Sequence, residues 1–201
     1  MKKLIAVWML LAMVVAPVQA DQSAQALVEQ TSNLMLAKLK EEQAVLKAEP
    51  SRLYELVNDI VLPHFDFEYM SQMVLAKHWR RAKPDQKTAF TAEFKMLLVR
   101  TYATSLKEYT DQELVYLPFR SGKDASQALV RTEIEQPGGF PIPIDYKLRD
   151  KGNGWKVFDV IIDGVSMVTN YRSSFAKEIR KSGLPSLIDT LAERNKKAQS
   201  S

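Results

Sequence analysis

The apolar positions along the chain fall into three regimes, and the changes between them mark out the elements. Residues 4–15 are apolar without interruption behind Lys2 and Lys3, and Pro17 ends the run. Beyond it the period is helical for some ninety residues. Leu27, Thr31, Leu34, Met35, Val45 and Leu46 recur at roughly helical spacing among Lys and Glu, and Pro50-Ser51 punctuates. Leu53, Leu56, Val57, Ile60 and Val61 make a second stripe, which Pro63 stops. A third helix is predicted over 67–81, with Phe67, Met70, Met73 and Val74 on one side. Pro84 opens a fourth, running to about residue 109, and Asp85 is well placed for its dipole. Phe90, Phe94, Leu97, Leu98, Thr101 and Ser105 share a face of it.

The second half changes period. Strands are predicted over 114–119 and 128–134, and 142–149 alternates apolar and mostly polar residues. Asn153-Gly154 predicts a hairpin turn. The next run, 155–162, is apolar on both faces over most of its length. Such a strand must be covered on both sides or line a cavity on one. After Asp163-Gly164 the period returns to helical, aligning Val165, Val168, Arg172, Phe175 and Ile179, and a last helix follows Gly183-Leu184-Pro185. Helices, an antiparallel meander of about four strands over about 113–163, then helices again: that order is an α+β domain. A curved sheet wrapped by long helices makes a cone with a mouth suited to a ligand.

The first regime reads as an address. Its apolar run is shorter than the roughly 20 residues a bilayer span takes, and Val18-Gln19-Ala20 offers a cleavage site. Residues 1–20 are therefore expected to leave as a signal peptide, with one domain over 21–197 and a polar tail over 198–201. The absence of Cys excludes disulfides, thiolate catalysis and a lipid-anchored lipoprotein. An exported chain without bridges rests on its core alone. Lys2 and Lys3 account for two of the 28 basic residues, so without the leader the net charge falls from +4 to +2. No Arg/Lys run is interleaved with aromatics, so a nucleic-acid groove is not indicated.

Catalytic constellations are equally sparse. His64 and His78 are the only histidines and have no metal-ligand spacing. His64 is expected to cap helix-end carbonyls, and His78, beside Lys77, Arg80 and Arg81, to sit on a solvated basic face. No Ser stands in a Gly-x-Ser-x-Gly elbow, and Gly138-Gly139 reads as a hairpin loop. One enzymatic reading stays open: Asp159, amid Val157, Phe158 and Val160, as a desolvated base in an isomerase-like pocket. The alternative for Asp159 is a hydrogen bond to neighbouring backbone or to an Arg.

Several segments together resemble the MlaC, or toluene-tolerance, family of periplasmic phospholipid-binding proteins. They are Phe65-Asp66-Phe67 through Met70, Val74-Leu75-Ala76, Trp79-Arg80-Arg81-Ala82, Pro84-Asp85-Gln86, Phe90, Phe94 and Leu97-Leu98-Val99-Arg100-Thr101-Tyr102. The most specific block is Trp155-Lys156-Val157-Phe158-Asp159 with Gly164-Val165-Ser166-Met167, followed by Asn170-Tyr171-Arg172-Ser173-Ser174-Phe175. Lys83 stands where the family usually has a Ser or Thr cap, a change worth about 1 kcal/mol of helix stability. The resemblance implies a cone-like sheet of the nuclear-transport-factor type with an added helical subdomain, and no catalytic residues or cofactor. It implies a periplasmic shuttle that maintains outer-membrane lipid asymmetry. Its partners would be an outer-membrane lipoprotein–porin complex and an inner-membrane ABC transporter with a mammalian-cell-entry domain protein.

Two acyl chains in water expose about 30 methylenes, at about 0.8 kcal/mol each, so their passage through water needs a lined cavity. The cone-facing residues give the lining candidates: Val57, Ile60, Met73, Val74, Leu97, Leu98, Thr101, Tyr102, Val130, Ile144, Tyr146, Phe158, Val160, Met167 and Val168. Met70, Met73 and Met167 would give adaptable walls, or plain core. Arg100, Arg131 and Lys147 are candidates for the head group at the mouth. Lys77, Arg80, Arg81 and Lys83 are candidates for docking acidic partners or anionic lipid. An adaptor with a solid core is the remaining alternative.

Overall fold

The computed structural model describes residues 19–103, 113–119 and 124–199, with side chains between 24 and 197. Residues 1–18 of the expected leader, residues 104–109 of the expected fourth helix (Ser105 among them) and the final two serines lie outside the described residues.

The helical first half is more broken than its periodicity suggests. Helix α1 spans Gln19–Glu41, and a turn at Glu42 separates it from α2, Gln43–Ala48. Within α1 the buried face is Ala24, Val28, Met35 and Leu39, with Leu34 turned outward, and beyond the turn Val45 is exposed. Helix α3, Ser51–Leu56, runs into a π turn at Val57–Val61 and then a 3-10 turn at Leu62–His64. Asp66 caps α4, Phe67–Leu75, by accepting from the Tyr69 amide at 3.2 Å. The helix expected over 67–81 breaks at Ala76, whose φ of 49° is outside helical space, and α5 resumes at Lys77–Arg81. A non-glycine residue there is strained. Arg172 supports the break from across the fold, donating its Nε to the Met73 carbonyl at 2.7 Å. Helix α6, Pro84–Ala103, lacks a Ser or Thr cap, but the Gln86 side chain accepts from the Lys83 amide at 3.0 Å. That is half of a capping box supplied from inside the helix.

Five antiparallel strands follow in sequence order: β1 Leu114–Tyr116, β2 Gln127–Ile134, β3 Ile142–Asp150, β4 Trp155–Ile162 and β5 Val165–Ser166. The meander therefore has one strand more than the four expected. Asp163 and Gly164, both at positive φ, turn the chain so that Val165 pairs with Ile162. The β3–β4 turn uses positive φ at Gly152 and Gly154, with Asn153 between them, rather than an Asn153-Gly154 pair. Register explains the alternation. Val130 faces Tyr146, Thr132 faces Ile144 and Ile134 faces Ile142, and across the next ladder Val160 faces Tyr146 and Ile162 faces Ile144. These residues make one apolar face. The register slips where Lys147 and Leu148 meet β4, leaving Phe158 as the extra residue, and such a bulge bends the strand. The bend reconciles the run of apolar residues with a half-solvated sheet: Phe158 packs edge-on against Tyr69 of α4, with centroids 5.4 Å apart.

Helix α7, Met167–Gln199, kinks at Gly183. It closes over α4 and α6 through an aromatic cluster, with Phe94–Tyr171 at 5.3 Å and Phe90–Phe175 at 5.8 Å, both edge-on. The buried residues separate into two clusters. The main one joins α4, α6, α7 and the sheet around Met70, Phe90, Phe94 and Leu148. The second joins α1, α3, the π turn and the end of α6 around Met35, Leu39, Leu53, Leu56, Val57 and Ala103.

Asp159 ties β4 to α7. Its carboxylate accepts from the Ser166 hydroxyl at 2.7 Å and the Val168 amide at 3.1 Å, with the Lys147 ammonium at 3.5 Å. Ser166 in turn accepts from the Thr169 amide at 3.1 Å, so the pair caps the first turn of α7. Replacing Asp159 by Ala leaves a hydroxyl, an amide and an ammonium without their acceptor. Urea unfolding of D159A should show a loss of about 2–3 kcal/mol, against about 1 kcal/mol for S166A. A loss under half a kcal/mol in D159A would refute this account of the cap.

Candidate functional site

Two voids open where the clusters fail to merge. The larger, about 580 Å³, lies between them: Met70, Leu98, Val160 and Met167 come from the main cluster, Val57, Val61, Leu62, Val99 and Ala103 from the second. Ile134, Ile142, Ile144, Tyr146 and Ile162 of the sheet form its other wall, with Phe65, Phe67 and Tyr102. Among the described residues, Gln136 is the one exposed residue on that wall and marks the mouth. The smaller void, about 200 Å³, runs under α1 and is lined by Leu27, Val28, Thr31, Ser32, Met35, Leu36, His64, Leu114 and Val157. Val61, Phe65, Ile134, Ile144 and Tyr146 border both voids, so the two compartments lie side by side with a common wall.

Seven of the expected lining residues stand on these walls: Val57, Leu98, Tyr102, Ile144, Tyr146, Val160 and Met167. The structure places the other eight elsewhere. Val74, Val130, Phe158 and Val168 are buried within the main cluster, and Met73 and Leu97 pack partly buried against it. Ile60 packs against the second cluster, and Thr101 is exposed, its hydroxyl bonded to the Leu97 carbonyl at 2.8 Å. Helical position explains Leu97 and Thr101: one turn apart, each one residue before a wall residue (Leu98 and Tyr102), they face away from the void. The contribution of α1 was not anticipated, although Thr31 within an otherwise apolar stripe is the kind of residue that marks a wall rather than a core.

The head-group candidates are all engaged. Arg100 donates to the Asn195 carbonyl, Arg131 to the Pro118 carbonyl at 3.2 Å, and Lys147 pairs with Asp159. Lys77, Arg80, Arg81 and Lys83 are exposed around α5, as expected of a basic face. His78 departs from that expectation. It is half-buried with its Nε2 enclosed, and burial first, then Lys77, Arg81 and Arg180, hold its pKa below the ordinary value. His64 caps no carbonyl but lines the smaller compartment.

Among the described residues, neither wall carries a carboxylate, Lys or Arg. Burial raises the Tyr146 phenol to about 12, with Tyr116 adding to the rise and Thr132 opposing it through a hydrogen bond. Burial and then neighbouring Tyr171 raise Tyr102 to about 12 as well. Both phenols stay neutral at any pH a cell sees. Among the described residues, no group of three His, Asp or Glu is placed to hold a metal ion. Asp159 lines neither compartment, and its carboxylate is committed to the α7 cap, so the isomerase-like reading loses its base.

An α+β fold with two adjoining apolar voids, uncharged among the described residues, defines a binding protein for an extended hydrophobic ligand. The chain belongs to the MlaC family, whose profile, described as MlaC protein, matches residues 29–193. It is 30% identical over 183 residues to the toluene tolerance protein ttg2D of Pseudomonas putida, covering 90% of this chain and 85% of the relative. It is 26% identical over 177 residues to the intermembrane phospholipid transport system binding protein MlaC of Haemophilus influenzae, covering 87% and 83%. A phospholipid-binding protein from Ralstonia solanacearum, solved in complex with a phospholipid, superposes with a TM-score of 0.79 at 32% identity, covering 87% of this chain and 98% of that one.

The raised phenol sets an alkaline limit. A folded-state pKa of about 12 against an ordinary 10.0 favours the protonated phenol in the fold. Stability from this source is full below about pH 10 and drains away as the pH rises towards 12. Melting temperatures of Y146F should fall less steeply than wild type across that window. Parallel curves would mean that Tyr146 titrates freely.

Proposed function

We propose that this protein is a phospholipid carrier, exported to the periplasm by cleavage near Ala20–Asp21, that shuttles lipid between outer-membrane and inner-membrane complexes. The apolar interior carries the reading: two adjoining voids of about 580 and 200 Å³ give more apolar room than a compact metabolite fills. Membership of the MlaC family and likeness to a chain solved with phospholipid support the same ligand. On this reading the cargo is the only bound small molecule. The outer partner is a lipoprotein–porin complex, the inner one an ABC transporter with a mammalian-cell-entry domain protein, and the cycle sustains outer-membrane lipid asymmetry. A solid-core adaptor has no use for voids of this size.

Gently purified protein should carry phospholipid, seen by native mass spectrometry and by extraction with thin-layer chromatography. Ile144 borders both compartments, so I144W should arrive largely empty while melting near the temperature of delipidated wild type, because the added ring enters open space rather than packed core. Wild-type protein that never retains lipid would sink the proposal.

A further inference from the structure

Lys2 and Lys3 set aside, the 28 basic residues outnumber the 24 acidic ones by only two, yet they are not spread evenly. Lys77, Arg80 and Arg81 all stand exposed on α5, within little more than one helical turn of one another. Exposed Arg180 joins them from α7. Its guanidinium acts on the His78 imidazole together with Lys77 and Arg81, so three charges from two helices surround one ring, and all three are positive. Among the described residues none of the four cations pairs with a carboxylate, although Lys38, Arg52, Lys147, Arg149 and Lys151 all do. Asp85 and Glu178, the carboxylates nearest to them in the chain, make no ion pair with them either. Like charges gathered on one face repel, and an anionic surface laid against them removes the repulsion.

This face is remote from the apolar voids, and none of the four cations lines them. Lys87, near the start of α6, holds its ammonium 5.3 Å from the centre of the Trp79 ring, so α5 packs at the N-terminal end of α6. Leu98 and Tyr102, on the wall of the larger void, lie roughly 16 to 22 Å further along that helix at 1.5 Å per residue. The face also lacks what holds a protein partner. Protein interfaces are anchored by apolar and aromatic side chains seated in pockets. Trp79, the one aromatic of α5, is buried, and the large exposed apolar side chains all lie on other parts of the chain. A bilayer with anionic head groups needs no such anchor, and each Lys or Arg close to it strengthens binding about fivefold.

We propose that Lys77, Arg80, Arg81 and Arg180 form a docking face for an anionic membrane surface. The face acts independently of the cavity: it holds the protein against a bilayer by charge, without inserting into it and without drawing a lipid out. The contact is reversible, because charge pairs at a wet surface weaken as salt screens them.

The protein as purified would be mixed with vesicles of phosphatidylcholine alone, or of phosphatidylcholine and phosphatidylglycerol in a two-to-one mixture, and bound protein read by flotation. Wild type is expected to prefer the mixed vesicles by at least about tenfold, and to lose most of that binding between about 0.1 and about 1 M salt, where the screening length falls from about 10 to about 3 Å. K77Q and R180Q should each lose about fivefold, and K77Q/R81Q/R180Q about a hundredfold, while K40Q, an exposed cation of α1, stays within about twofold. Melting curves verify folding of each variant. Equal binding of wild type to both vesicles overturns the docking face, as do variants that bind like wild type or a loss in K40Q as large as in K77Q. Polyglutamate bound more tightly than the mixed vesicles, compared per charge, would reassign the face to an acidic protein. The triple variant should still carry phospholipid at the wild-type level by native mass spectrometry; an empty triple variant would make these cations part of cargo binding and overturn the independence claimed for them.

Discussion

The structure depends on keeping two apolar clusters from merging. Interiors normally pack to crystal density, and an empty void costs about 24 cal/mol per Å³ of unfilled space. A compartment of about 580 Å³ with a mouth instead exposes its apolar wall to water, and a ligand whose own apolar surface covers that wall removes the cost. The uncharged wall makes a hydrocarbon the fitting occupant, and the exposed Gln136 beside the β2–β3 loop marks where it enters.

What resists collapse is a frame of polar links placed at element ends, away from the void. Arg172 holds the broken end of α4, and the Asp159–Ser166 pair holds the start of α7. Asn195, buried near the end of α7, donates to the Glu93 carbonyl at 3.0 Å and carboxylate at 2.7 Å, while its own carbonyl accepts from Arg100. Lys156 ties β4 to the turn at Pro63. All but the Asp159 links join residues 93 to 102 apart in the chain, and together they fix helix ends that packing alone would let slide inward. The family-resembling segments around Trp155 and Asn170 supply much of this frame, through Lys156, Asp159, Ser166 and Arg172.

The period of the sequence carried the sheet well. The bounds of β4 follow its apolar run, and β3 follows its alternation, because a ladder buried on one face leaves few other registers. Breaks were harder to read. Ala76 at positive φ, the turn at Glu42 and the π turn at Val57–Val61 are held by tertiary contacts, and no Gly or Pro announces them. The walls were harder still. Val130 and Tyr146 sit opposite each other on one face with the same apolar pattern, yet Val130 is buried in core and Tyr146 borders the void. Periodicity tells which face a residue takes, but it is silent on whether that face meets a neighbour or a gap.

The same constraint bears on release. Transferring a tail from bilayer to cavity exchanges one apolar surrounding for another, so the roughly 0.8 kcal/mol per methylene that keeps lipid out of water nearly cancels between them. What remains is shape. Methionines at positions 70 and 167 line the larger compartment with side chains that adapt to tails of different length. A carrier built this way holds its cargo firmly against water and weakly against any other apolar acceptor. Whichever acceptor docks at the mouth then decides where the lipid goes.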